Sequence, residues 1–442
     1  MATRAQQSAL NIATTPIRTT GSKCNVALVG FGTVGSSVAR LLCERELPGL
    51  QLTHVCNRDV ARKRVDWVPQ DVCWTENFEA VVRSPEVDVV VELVGGLDPA
   101  GEWIRRALLA GKSVVTANKK LIAKNGPQLL RLAREKGVHL LFGAAVAGGV
   151  PVLAGLEHGL GGDRQFRVRG IVNGTCNYVL SSMEARGLTF NSALTEAQER
   201  GYAEADPTDD VEGYDARSKL AILSWVGLRA EIDPEQIACR SITGVDAVDF
   251  SYARDLGCTI RQISWAEMKG EHVLAGVQPA LVPLASPLSQ LAGSKNMVIA
   301  SGQYGGDTVF AGNGAGGPAT AVAVVSDLLL LAKGQAMYPI SSRPHAVSSD
   351  LVAPHYVRFI VNDRPGIVAA IATVFSQHAI NVDAVLQKPG FPKSELKFAV
   401  TVELCSAKLL ASAMHEIDKF DFLVDRPLCL PILDDHAGLS AV

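Results

Sequence analysis

Asn25-Val26-Ala27-Leu28-Val29-Gly30-Phe31-Gly32-Thr33-Val34-Gly35-Ser36-Ser37-Val38-Ala39-Arg40-Leu41-Leu42 decides how this chain begins. Residues 25–29 form a short, mostly apolar run of the kind a buried parallel strand shows, and Val34, Val38, Leu41 and Leu42 then recur at helical spacing. Between them lies a GxGxxG sequence. By itself it is weak, because the chain has 40 glycines. Its place between a strand and an amphipathic helix gives it meaning: backbone N–H groups at the helix start would face a pyrophosphate. Gly30, Gly32, Thr33, Val34 and Gly35 are therefore candidate cofactor-binding residues.

Working outward, apolar runs recur at residues 50–56, 87–93, 113–116 and 138–142, with helical patterns between them at 103–110 and 127–136. Alternating strands and helices predict a Rossmann-type parallel sheet covered on both faces, over residues 24–142. The second strand ends in Cys56-Asn57-Arg58-Asp59. A guanidinium there can hold a ribose 2′-phosphate by a bidentate contact, so Arg58 favours NADP(H), while Asp59 leaves NAD(H) open.

Residues 143–340 read as a second, α+β domain for substrate binding and dimerisation, with a dense glycine cluster at 312–317 and an apolar helix candidate at 321–332. Residues 341–354, rich in Ser, Pro and His, read as a linker. Residues 355–432 read strand, helix, strand, strand, helix, strand, a ferredoxin-like βαββαβ pattern. Asp363 is expected to cap its first helix, with Pro365 in the first turn.

The 442 residues suggest roughly three domains. A net charge of -3, from 42 basic and 45 acidic residues, argues against a dedicated nucleic-acid binder. Nine scattered cysteines without a CxxC pair fit a reducing, cytoplasmic compartment and speak against a disulfide framework. The longest uncharged stretch, residues 140–156, is broken by five glycines and prolines and is too short to span a membrane. Residues 1–23 have no secretory h-region and read as a disordered tail, although Arg4, Arg18 and Lys23 among Ser, Thr and Ala, with no acid, also fit an organellar transit peptide.

Asp215 and Lys219 sit four apart in a segment read as helical, on one face. Such pairs decorate many helix surfaces. Here the surroundings change the reading, because Glu204, Asp206, Asp209, Asp210, Glu212 and Asp215 crowd one loop and helix start. Only nearby cations make that crowd tolerable, and Lys219 and an ammonium-bearing substrate would be such cations.

At this point the chain resembles the homoserine dehydrogenases. Ala197, Gly201, Tyr202, Ala203, Asp206-Pro207, Asp210-Val211, Gly213, Asp215 and Lys219 match that family's signature at every spacing. The likeness continues in Glu92-Leu93-Val94-Gly95-Gly96, Thr116-Ala117-Asn118-Lys119-Lys120, the Ala144-to-Pro151 stretch, Asn173-Gly174-Thr175 and the late glycine cluster. The resemblance implies interconversion of L-aspartate 4-semialdehyde and L-homoserine, in threonine and methionine biosynthesis, by hydride exchange with a nicotinamide. It implies that Lys219 handles the proton, that Asp215 orients it, that Glu204, Asp215 and Gly174 bind substrate, and that Lys119 lies close to the reaction. Gly95 and Gly316 are implied cofactor contacts. Carbonyls of Val146, Gly148 and Val150 would hold sodium, although Gly143 stands where family members often carry Glu. Gly317-Pro318-Ala319-Thr320-Ala321 replaces the usual Ala-Pro-Thr-Ala.

The C-terminal pattern resembles an ACT domain through residues 362–367 and Ile380-Asn381-Val382. That resemblance implies an amino-acid effector, L-threonine as feedback inhibitor, held at Asn362, Asp363 and Ile380, and a homodimer or homotetramer. Two other readings stay open: another amino-acid dehydrogenase on the same scaffold, and a nonenzymatic nucleotide and amino-acid sensor. The sensor would need an output module, and no basic helix-turn-helix pattern is apparent.

Overall fold

The structure, a computed structural model, describes residues 23–335, 338 and 344–433. The expected tail, Lys23 apart, lies outside them. The described residues form two compact units: one up to Pro151 and again from Gly316 to Tyr338, the other from Val152 to Ala315 and again from Pro344 onward.

The first unit is a six-stranded parallel sheet: β1 (Cys24–Val29), β2 (Leu50–Cys56), β3 (Cys73–Thr75), β4 (Val89–Glu92), β5 (Ser113–Thr116) and β6 (Leu140–Leu141), ordered β3-β2-β1-β4-β5-β6. β4 is buried at all four positions, as a strand covered on both faces requires. Strand order reverses between β1 and β4, where Val29 pairs with Glu92, and their carboxyl ends open the crevice in which such sheets bind ligands. The helix expected at 127–136 starts earlier, at Lys119, because the Asn118 side chain accepts from Leu121 N and caps it; Pro127 lies inside it.

Gly143 to Pro151 and the helix Gly317–Ala332 belong to this first unit, whereas the sequence placed 143–340 in one domain. The helix packs along the helix Thr33–Glu44, and the bare Cα of Gly317 permits the approach: a Cβ there would meet Ser37 Oγ at 2.7 Å and Thr33 O at 2.8 Å. No local period reveals such a return.

The second unit is built on β7 (Gln165–Ile171), β8 (Ala238–Cys239), β9 (Cys258–Lys269), β10 (His272–Pro283), β11 (Lys295–Gly302), β12 (Gly306–Asn313) and β13 (Ala346–Ser348), in one mixed sheet ordered β12-β11-β7-β9-β10-β13, with β8 on β10. The helices Gly174–Arg186 and Tyr214–Leu228 pack against it. The described part of the segment read as a linker is not one: Pro344 bridges to Glu231, and β13 pairs in parallel with His272 to Leu274.

The C-terminal βαββαβ fold is present as β14 (Val352–Val361), β15 (Val382–Gln387), β16 (Leu396–Ser406) and β17 (Leu428–Pro431), ordered β15-β16-β14-β17, with helices Ile367–Gln377 and Ala407–Ile417. Asp363 does not cap the first of these. The chain enters it through Gly366 at φ +94°, with no side-chain cap. One apolar core runs through Tyr252, Ile260 and Leu281 of the substrate region and Tyr356, Ala399 and Leu430 of the C-terminal module. The module is thus packed into the second unit. Its polar seam is as tight: Arg358 Nε lies 3.2 Å from Asp249 Oδ1, Tyr356 donates to the same oxygen at 2.7 Å, and Lys397 Nζ reaches Asp246 Oδ2 at 2.6 Å. No described helix is long and apolar enough to cross a membrane.

Candidate active site

In the first unit the three glycines of the fingerprint have three distinct roles. Gly30 sits at φ +102°, and a Cβ there would strike the Leu93 carbonyl at 2.8 Å. Gly35 lets helix approach strand, since its Cβ would lie 2.1 Å from Gly30 O. Gly32 has open space where a Cβ would be, and it starts a helix with no side-chain cap. Gly316, at φ +100°, starts the helix Gly317–Ala332, also uncapped. Two adjacent helix starts without a side-chain cap suit a pyrophosphate, so the cradle fits a dinucleotide.

The end of β2 is organised without the ribose in mind. Asn57 Oδ1 accepts from Phe31 N at 3.3 Å, and Asp59 is occupied as a cap, accepting from Arg62 N at 3.0 Å. Arg58 is exposed. Glu92, a residue the sequence reading quoted without a role, is 1% exposed and binds Val94 N, Gly95 N and Thr116 Oγ1 at 2.6 to 2.9 Å. It fixes the Gly95 turn. Asn118 ties the same turn to β5 through Gly96 O at 2.7 Å, and Lys119, half-buried, opens the following helix.

At Gly143 the backbone N–H donates to Asp327 Oδ2 at 2.7 Å, and a Cβ would lie 2.7 Å from the other oxygen. The missing side chain at 143 makes room for this carboxylate. Burial pushes the Asp327 carboxyl up to about 7, against the pull of that N–H. The unfolded chain releases this proton near the ordinary 3.8 and the folded chain only near 7, so the group costs stability as pH rises through that window, on the order of a few kcal/mol in full. Asp327→Asn should flatten the loss: between pH 5 and pH 8 the parent's melting temperature falls more steeply than the variant's. Parallel pH profiles would show that the carboxyl titrates normally.

The second unit holds the catalytic candidates. Asn173 caps the helix Gly174–Arg186 with Oδ1, leaving Nδ2 to donate to Asp210 Oδ1 at 2.7 Å and Asp215 Oδ2 at 2.9 Å. Lys219 Nζ donates to Asp215 Oδ2 and to Val172 O, both at 2.7 Å. Asp215 is 4% and Lys219 9% exposed, so the pair is desolvated and its geometry fixed. Burial raises the Asp210 carboxyl above its ordinary value, with the Asp215 charge adding to it and Asn173 opposing it. Asn173 is the piece that sequence reasoning missed as a site residue; its only signal was the Asn173-Gly174-Thr175 motif far upstream. Gly174 lies so close to Ser294 O that a Cβ would sit at 2.6 Å. Glu204 stands apart with an exposed side chain, and it is the backbone of its loop, at Glu204 O and Ala205 O, that Gln198 Nε2 holds at 3.1 and 3.3 Å.

Val146, Gly148 and Val150 lie in a turn where Ala147 and Gly148 both take positive φ, and Val150 N returns to Ala147 O at 2.9 Å. Of the three effector candidates, Asn362 and Asp363 are exposed with backbone N–H groups bound to Phe422 O and Lys393 O. Ile380, 4% exposed, belongs to the module's own core.

A buried lysine held between a carboxylate and a carbonyl is suited to pass a proton, and a glycine cradle at a helix start is suited to a dinucleotide; together they describe an oxidoreductase. Family models agree: "Homoserine dehydrogenase, NAD binding domain" matches residues 30–143, "Homoserine dehydrogenase" residues 151–329, and "ACT domain" residues 355–422. A Synechocystis homoserine dehydrogenase is 35% identical, covering 92% of this chain and 99% of its own, and one from Bacillus subtilis is 37% identical over 85% and 90%. Among solved structures, the homoserine dehydrogenase of Thiobacillus denitrificans superposes with a TM-score of 0.87 at 31% identity, covering 93% and 99% of the two chains. A hyperthermophilic archaeal homoserine dehydrogenase in complex with NADPH gives 0.61 at 26% identity, over 71% and 98%. The chain belongs to the homoserine dehydrogenase family, and with it to the NAD(P)-dependent oxidoreductases.

Proposed function

We propose that Lys219 is the general acid and base of the interconversion of L-aspartate 4-semialdehyde and L-homoserine. The observation that carries this is its ammonium, buried and clamped at 2.7 Å by both Asp215 and the Val172 carbonyl. When bound, the nicotinamide supplies the hydride that reaches the C4 carbonyl carbon. Lys219 donates the proton that the carbonyl oxygen takes up, and its charge stabilises the oxyanion as it develops. Asp215, itself steadied by Asn173, keeps the ammonium aimed, and in the reverse direction the neutral amine receives the alcohol proton. Asp215, Glu204 and the backbone at Gly174 bind the substrate's amino end, and Lys119 serves as an anion-binding residue next to the Gly95 turn.

NADP(H) is the preferred cofactor. Asp59 is occupied as a helix cap, which removes the carboxylate that would hold a ribose 2′-hydroxyl, while Arg58 is exposed at the strand end. The archaeal relative solved with NADPH is in keeping with this. Arg58→Ala should therefore raise KM for NADPH about tenfold or more while leaving KM for NADH within a factor of two, the loss of one charge-assisted phosphate contact. Equal effects on both cofactors would count against Arg58.

The carbonyls of Val146, Gly148 and Val150 take sodium without a side-chain anion from position 143. The enzyme acts in the cytoplasm as a homodimer or homotetramer, in keeping with nine cysteines that are all free thiols. L-Threonine inhibits through the ACT module, with Asn362 and Asp363 as the exposed contacts of its first loop.

A further inference from the structure

Two bare Cα atoms in the second unit enclose one short segment, residues 294–296. A Cβ on Gly174 would lie 2.6 Å from Ser294 O, and a Cβ on Gly314 would lie 1.8 Å from Oδ1 and 2.0 Å from Cγ of Asn296. Gly314 lies outside the left-handed region, so its backbone does not demand glycine. What the missing side chain provides is room for the Asn296 amide. A side chain enclosed this tightly normally has its polar atoms met. Asn296 is 1% exposed, yet its Nδ2 has no hydrogen-bond partner among the described residues. A buried donor left open costs stability, and its retention points to a ligand that meets it.

The register of the sheet locates that donor. β11 runs antiparallel to β7, with Val298 opposite Gly170 and Met297 opposite Ile171. The next step of this ladder sets Asn296 opposite Val172, with Cα atoms about 5 Å apart, and the approach of Ser294 O to Gly174 keeps the two chains side by side beyond it. Met297, Ile299 and Ile171 turn to the core they share with Ile263 and Trp265. Val168 turns the other way, toward the helix Tyr214–Leu228, where a Cβ on Gly227 would lie 3.4 Å from its Cγ1. Alternation along both strands therefore puts Asn296 on the face that this helix covers. The helix carries Asp215 and Lys219, and the carbonyl to which Lys219 Nζ donates at 2.7 Å is that of Val172. An open amide donor and a clamped ammonium thus flank one residue.

Two of the three N–H bonds of the ammonium go to Asp215 and Val172, which leaves the third for the substrate oxygen that Lys219 protonates. A carbonyl oxygen has two lone pairs and accepts a second donor. The substrate's carboxylate is not drawn to this corner, where Asn173 gathers the carboxyl groups of Asp210 and Asp215. We propose that Asn296 Nδ2 is the second hydrogen-bond donor to the C4 oxygen of L-aspartate 4-semialdehyde, sharing it with Lys219. Asn296 gives up no proton. Its hydrogen bond strengthens as charge collects on the oxygen, and the proton comes from Lys219 as before. The inference rests on the reading that Lys219 acts on that oxygen.

The test is steady-state kinetics of full-length Asn296→Leu and Asn296→Asp with the semialdehyde and NADPH at pH 8, beside the parent and Lys219→Ala. Leucine keeps the branched shape and removes the donor, and an ionised aspartate keeps the shape and offers acceptors only. Each should lower kcat about 100-fold, the effect of removing one donor to a developing oxyanion, while KM for the semialdehyde stays within about threefold. Ligand-free Asn296→Leu should melt at or above the parent, because an unmet buried amide has been replaced by an apolar group. A merely structural amide moves the other way, with a lower melting temperature. The proposal is overturned by kcat within about fivefold of the parent in both variants, by a raised KM at parent kcat, or by melting well below the parent in both. Parent turnover that survives in Lys219→Ala refutes the reading of Lys219 itself, whereas active Asn296 variants beside an inactive Lys219→Ala refute the role of Asn296 alone.

Discussion

Lys219→Ala should lower kcat by ~100-fold or more in either direction while the dissociation constant of the nicotinamide cofactor changes by less than threefold. The ammonium is 9% exposed and has two fixed acceptors at 2.7 Å, so no mobile side chain replaces it when it is truncated. Water is a poor substitute, because a hydroxyl left without a neighbouring cation gives up the electrostatic stabilisation of the oxyanion along with the proton. On the proposed reading cofactor affinity is set in the other unit, by the glycine cradle and Arg58, and it is therefore the internal control. Asp215→Asn should fall between the parent and Lys219→Ala, since it keeps a hydrogen-bond acceptor for the ammonium and loses its charge. Turnover of the Lys219 variant within tenfold of the parent would refute the assignment.

Deleting residues 350–442 should cost the enzyme its fold as well as its regulation. From the sequence, the Ser- and Pro-rich stretch at 341–354 makes the C-terminal module look detachable. The structure makes it part of the second unit's interior. Tyr356 and Leu430 share a core with Tyr252, Ile260 and Leu281, and Asp249, 0% exposed, has its charge met by Arg358 from the module. Burial raises the Asp249 carboxyl and Arg358 opposes this. Cutting the chain removes Arg358 and Tyr356 together with the module's share of the core, and it leaves Tyr252, Ile260 and Leu281 uncovered, at about 1.5 to 3 kcal/mol for each large apolar side chain returned to water. The truncated protein should melt about 10 °C or more below the parent, or precipitate, and lose turnover with it. A soluble truncated enzyme with parent activity would mean that the seam contributes little.

What the sequence makes legible follows from locality. The strand before Gly30, the helix after it and the strand ends at Cys56, Glu92 and Thr116 are all read from neighbours a few residues away, and they appear where the pattern puts them. The Asp215–Lys219 pair is likewise a spacing of four on one helix. Contacts that bring distant segments together leave no such mark. The helix Gly317–Ala332 returns to the first unit through the bare Cα of Gly317 against Thr33 and Ser37, and nothing in its apolar composition says which sheet it covers. Asp327 reaches Gly143 across 184 residues. Asn173 joins Asp210 and Asp215 across 37 and 42. The expected cap at Asp363 failed for a different reason, a competing solution, because Gly366 turns the chain into the helix by itself at φ +94°.

Homoserine dehydrogenase chemistry run by the buried Asp215–Lys219 pair should be read in the NADPH absorbance of the purified full-length protein with L-aspartate 4-semialdehyde. NADPH should be oxidised stoichiometrically with formation of L-homoserine, the reaction should reverse with NADP⁺ and L-homoserine, and Lys219→Ala should lose both directions. Absence of turnover by the folded parent with either NADPH or NADH, or parent-like turnover in the variant, would contradict it.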